Sequence, residues 1–224
     1  MSVDQPSAGQ SMPRSSLPVP PARVDSLRRV GRAAIAGVIV SIVLILPDIV
    51  LTPMMVSAPS DERLSTVYFW LVLAQLAVLA VTGVAFIRWQ HVGMSNLKTW
   101  RIQGLRWTPG WAVAGWFIPI ANLLLPALVT GDLVRGSRTP PDQSERGRGG
   151  SLLVWAWWLT FLWANLAENA LARKDFTGQT VSYAAGYAAA EVFSFVISGA
   201  LAIALIRRVN ELQARRQAAL DRIG

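Results

Sequence analysis

Glu191 is the side chain best placed to do chemistry, because it lies near the middle of a long apolar run, Val181 to Ile206. A charged group at that depth in a bilayer costs about 2.5–3.5 kcal/mol on insertion scales, so it must be paired, hydrated or protonated. Gln75 lies equally deep in the run Ser65 to Ile87. Ser41 in the run Ala33 to Leu51, and Asn165 in the run Leu152 to Ala172, fall at nearly the same level when the runs alternate in direction. The expectation is that Ser41, Gln75, Asn165 and Glu191 meet inside a bundle, with Asn122 from a further segment beside them. Such a cluster has two uses: a proton- or ligand-handling polar core, or interhelical hydrogen bonding at about 1 kcal/mol per contact. The second is the simpler. Asp48 and Glu168 sit close to the expected span ends and can snorkel to the headgroups.

Other chemistries are thinly supplied. The chain has no cysteine, which removes disulfides, thiolate nucleophiles and zinc–thiolate sites. His91 is its one histidine, so no multi-histidine metal site forms within a chain. No nucleophile–base pair or cluster of acids stands out. Neither an enzyme nor a bound metal or cofactor is expected.

The elements that must carry these residues are membrane helices. Of 224 residues, 53% are apolar and only 15% charged, against about 25% charged in an ordinary soluble domain. Soluble enzymes, nucleic-acid-binding domains and disulfide scaffolds are poor readings of that balance. Residues 1–27 are rich in Pro and Ser and read as a disordered tail with no cleavable leader. Residues 28–206 form the membrane domain. Residues 207–224 continue as an amphipathic helix in water, with Val209, Leu212, Leu220 and Ile223 on one face.

Five apolar segments reach the length that crosses a ~30 Å hydrocarbon layer, the third of them, Trp111 to Thr130, being broken by Pro119 and Pro126. If all five cross, Lys and Arg divide almost equally between the two sides. If the Pro-broken segment turns back, every Lys and Arg except Arg63, Arg173 and Lys174 gathers on one side. The positive-inside rule prefers the second arrangement. The expected fold is therefore all-α and integral to the membrane. It has four transmembrane helices, a re-entrant or interfacial segment and both termini in the cytoplasm; five transmembrane helices is the alternative. Proline removes an N–H and clashes with the preceding turn, which suits a broken segment.

Between the second and third segments, Trp89, Val92, Leu97, Trp100 and Leu105 share one helical face, while Arg88, His91, Lys98 and Arg101 share another. That is the pattern of a helix lying in the cytoplasmic interface, its basic side toward anionic headgroups. The tryptophans near this level, Trp89, Trp100, Trp107, Trp111, Trp155, Trp157 and Trp158, are expected as interfacial anchors. In the fifth segment, Gly186, Ala190, Ser194, Ser198 and Ala202 make a small-residue face for a close helix neighbour.

From Trp107 the chain reads Pro109-Gly110-Trp111, then Trp116-Phe117-Ile118-Pro119-Ile120-Ala121-Asn122-Leu123 and Pro126. This stretch resembles a bacterial membrane family known as domain of unknown function 4328, and the flanking pairs of spans match in order over roughly residues 30 to 210. The resemblance implies an architecture and a place in the bacterial cytoplasmic membrane, and adds no chemistry. The expected partners are the bilayer, its anionic headgroups, and a second copy or another membrane protein, with no nucleic acid. The expected role is a non-enzymatic scaffold or accessory component; the alternative is a small transporter or channel around Glu191.

Overall fold

The computed structural model describes residues 23–139, 148–171 and 180–222. They form seven α-helices: α1 (Val24–Ile45), α2 (Asp48–Ser57), α3 (Glu62–Thr99), α4 (Trp111–Phe117), α5 (Leu125–Ser137), α6 (Arg148–Leu171) and α7 (Val181–Leu220). A single 3-10 turn, Ala121–Leu123, joins α4 to α5, and no strand occurs among the described residues.

Local chemistry explains the boundaries. Pro47 supplies no N–H to the helical ladder, so α1 ends at Ile45 and the chain resumes as α2. Asp61 caps α3, its Oδ1 accepting from the N–H groups of Arg63 and Leu64 at 2.9 and 3.1 Å. The other end of α3 closes with paired reverse bonds, Ile102 N–H to Leu97 O at 3.1 Å and Arg101 N–H to Lys98 O at 3.0 Å. That closure holds Arg101 at a φ of 53°, the left-handed region that glycine usually fills. Thr180 caps α7 by accepting from Tyr183 N–H at 3.3 Å.

α1 and α3 run antiparallel, with Arg23 beside Asn96 and Gly31 against Trp89. α7 lies against α1, where Gly199 meets Val38 and Ile42. Three helical stretches, Val24–Ser57, Glu62–Thr99 and Val181–Leu220, are long and apolar enough to cross a membrane. On α3 no charged residue occurs from Leu64 to Ile87, about 36 Å of helix. Val67, Phe69, Trp70, Leu73, Leu76, Leu79, Val81 and Val84 are exposed along it, as suits a helix whose solvent is hydrocarbon. The first basic residues below the belt, Arg32, Arg88 and Arg207, are exposed and share one level.

Two expectations are corrected. Trp89 to Thr99 is not a separate helix lying in the interface, because α3 runs straight through it. Its apolar face is covered by protein: Trp89, Met94 and Leu97 are wholly buried, and Trp100 nearly so. Trp157 and Trp158 are likewise core residues rather than headgroup anchors. In addition, α1 begins inside the expected 1–27 tail, and Leu27 is fully buried.

The Pro-broken segment is no continuous helix. α4 has 7 residues and α5 has 13, each too short to cross a hydrocarbon layer. They fold back on one another where Gly115 lets Leu125 approach. Both ends of this hairpin lie at the basic end of the bundle, with Trp107 beside Asp132 and Ser137 beside Gln213.

Candidate functional site

The densest polar structure closes that basic end. Asn96 and Gln213 are buried from opposite helices, α3 and α7, and Asn96 Nδ2 donates to Gln213 Oε1 at 2.8 Å. Asn96 Oδ1 accepts from Arg23 N–H at 2.9 Å, tying in the start of α1. Gln213 Nε2 donates to Gly93 O at 3.0 Å and to Ser137 Oγ at 3.1 Å, tying in the end of α5. Ser137 in turn donates to Leu133 O. Gly93 is small for a reason, since a Cβ there would come 2.8 Å from Leu133 Cδ1.

A second node lies one turn nearer the apolar belt. Gln90 Nε2 donates to Thr130 Oγ1 at 2.6 Å, and Gln90 Oε1 accepts from Trp116 Nε1 at 2.8 Å. Trp116 packs edge-on against Phe86, Trp158 and Phe161. Trp158 Nε1 donates to Leu123 O at the hairpin tip at 2.9 Å. Trp89 Nε1 donates to Asn210 Oδ1 at 3.0 Å. Each of the buried amides Gln90, Asn96 and Gln213 has both its oxygen and its nitrogen engaged, which makes these nodes stabilising.

The loop from α3 to α4 is clamped by one acid. Asp132 Oδ2 accepts from Arg106 N–H at 2.6 Å and from Trp107 N–H at 3.3 Å, while Oδ1 pairs with Arg135 at 2.8 Å. Arg135 also donates to Gly104 O.

The resemblance residues thus have separate duties. Trp107 anchors the loop and meets Trp111 edge-on, with ring centroids 5.7 Å apart. Pro109 starts α4 by offering its carbonyl to Ala112 N–H. Trp116 ties α4 to Gln90, and Pro119 lies in the break. Pro126 sits in the first turn of α5, where its missing N–H costs nothing. Asn122 lies at the tip with a buried Oδ1 that has no partner among the described residues.

The expected mid-belt residues fare differently. Gln75 donates to Leu44 O at 2.9 Å and to Asp48 Oδ2 at 3.0 Å, so its partner is Asp48. Asp48 does not snorkel: it is 5% exposed, at the Pro47 break, facing the middle of α3. Ser41 is buried and its Oγ has no partner among the described residues. It lies level with Gly199, about 12 Å along α7 from Glu191. Asn165 is exposed and donates to Phe161 O within α6, and Glu191 is half-buried. Glu168 and Ile223 lie outside the side chains described. Sequence reasoning missed Gln90, Asn96 and Gln213. Each neighbours apolar residues at helical spacing, Gln213 beside Val209 and Leu212 for example, and that signal was available.

The long apolar helices and the hairpin locked beneath them define an all-helical protein of membrane type. The chain belongs to the family described as Domain of unknown function (DUF4328), whose family model matches residues 53–214. No curated protein and no solved structure matches it significantly. The matched range holds the whole hairpin and all three buried amides; Ser41 and Asp48 precede it.

Proposed function

We propose that the chain is a bacterial cytoplasmic-membrane protein whose crossing helices are α1–α2, α3, α6 and α7, with both termini cytoplasmic. α4 and α5 enter and leave the cytoplasmic leaflet on one side. Exposure of Phe117, Ile118, Ile120, Leu123 and Leu124 at the hairpin tip supports that immersion. The protein acts as a non-enzymatic scaffold or accessory component, through contacts with headgroups and with other membrane proteins.

The observation that carries this reading is the coincidence of two features at one end. A core whose buried amides Gln90, Asn96 and Gln213 are all engaged lies there, and exposed Arg28, Arg29, Arg32, Arg88, Arg207 and Arg208 surround it. A fixed basic rim suits anionic headgroups, each contact being worth about 1 kcal/mol. The test is the phospholipid that co-purifies with the full chain in mild detergent, measured by mass spectrometry. Replacing Arg28, Arg29 and Arg32 together by Gln is expected to lower bound anionic lipid about tenfold relative to zwitterionic lipid. An unchanged lipid profile contradicts the reading.

Half-burial of Glu191 in an apolar stretch favours the second reading, a small transporter or channel. Solute or proton flux in proteoliposomes that Glu191→Gln abolishes would replace the first reading.

A further inference from the structure

Among the described residues, the Asp48 carboxyl is a buried acid in the apolar belt whose surroundings are incomplete. It is nine-tenths buried, Oδ2 holds a single hydrogen bond from Gln75, and Oδ1 has no partner among the described residues. The donor is neutral. No Lys or Arg occurs on α1–α2 from Ala33 to Ser57, on α3 from Leu64 to Ile87, on α6 after Arg148, or on α7 from Val181 to Ile206. Among the described residues these helices therefore supply no positive charge at this depth, and a dry, uncompensated carboxylate is costly. The same spot is a helix break. Pro47 offers no N–H to Val43 O, and Leu44 O is met by Gln75 from α3 instead. A carboxyl oxygen with no partner among the described residues, beside a backbone carbonyl that proline deprives of its helical donor, is the kind of donor set that takes a small monopositive ion in membrane proteins.

We infer that Asp48, positioned by Gln75 at the Pro47 break, is a binding site for a monovalent cation, either a proton or an alkali-metal ion. The ion neutralises the carboxyl and closes the α1–α2 junction against α3. The groups facing the site are accounted for: α3 presents the neutral Gln75, and the titratable groups on the outer half of α7 are Tyr183, Tyr187 and Glu191. The inference rests on the bilayer reading of α1–α2, but its test is made in detergent and fails separately from a topology measurement.

The experiment follows Tm of the full-length purified protein in two series: NaCl replacing choline chloride at fixed alkaline pH, and acidification in choline alone. Saturating ion is expected to raise Tm of the wild type over Asp48→Asn by roughly 5 °C. A rise with Na+ identifies the alkali ion; a rise on acidification alone identifies the proton. Asp48→Asn is expected to be flat in both series relative to the wild type, and Glu191→Gln to keep the wild-type response. Should Asp48→Asn not fold, Gln75→Ala keeps the carboxyl and removes the donor that positions it, so its response must be weaker than that of the wild type. A wild type indifferent to both ions, a response preserved in Asp48→Asn, one undiminished in Gln75→Ala, or one lost in Glu191→Gln overturns the inference.

Discussion

The two ends of the bundle solve opposite problems with the same residue types. At the basic end, Gln90, Asn96 and Gln213 are buried and every amide is engaged, between helices that interlock through Gly31, Gly93 and Gly136. In the outer half, Gln75 reaches one acid and one carbonyl, and buried Ser41 Oγ and Asp48 Oδ1 have no partner among the described residues. α3 has no buried residue before Thr82. A buried amide contributes stability only when its partners come with it, so the basic end is built to hold still. The other half leaves two buried oxygens, Ser41 Oγ and Asp48 Oδ1, without a partner among the described residues.

The largest expected effect breaks the rigid end. Gln213→Leu removes three hydrogen bonds and strands Asn96 Nδ2 in a dry core. Thermal unfolding of the purified chain should show a loss of about 3 kcal/mol, or roughly 9 °C in Tm. A loss below a third of that would mean the network is not what holds this end.

Arg101→Gly is expected to act in the other direction and more weakly. It relieves the left-handed backbone after α3 while keeping the Ile102–Leu97 closure, and should stabilise by about 1 kcal/mol in the same assay. The smallest effect belongs to the outer half. Ser41→Ala deletes a buried hydroxyl that bonds to nothing described, so stability should stay within about 0.5 kcal/mol of wild type, or rise. A loss comparable to that of Gln213→Leu would erase the contrast between the two ends.

What was legible in the sequence follows the same division. Membrane character was carried by apolar runs longer than any soluble core needs. The break in the third segment was carried by Pro119 and Pro126, whose effect is local and independent of context. Long-range pairings were not legible. Asn96 and Gln213 are 117 residues apart, and an amide on a helix is equally at home in water until its partner is known. The same limit misassigned the Trp89–Leu105 face: periodicity shows that a face is covered, and cannot say whether lipid or protein covers it. Asp48 reads as a span end because the first apolar run closes near Leu51, yet α2 continues to Ser57 and leaves the acid opposite the middle of the apolar stretch of α3. The pairing of Gln75 with Asp48 follows from helix register rather than from depth alone.

The central claim is that the Pro-broken hairpin begins and ends on one side of the membrane, locked there by the buried amides. The absence of native cysteine makes it directly measurable with single-cysteine variants and a membrane-impermeant maleimide. Ser60→Cys reports the α2–α3 loop, Gln103→Cys the α3–α4 loop, and Ser144→Cys the chain between α5 and α6. In intact cells the account predicts labelling at residue 60 alone, with 103 and 144 labelling together only after lysis. Labelling of residue 144 in intact cells while residue 103 stays protected would contradict it, because the hairpin would then have to cross.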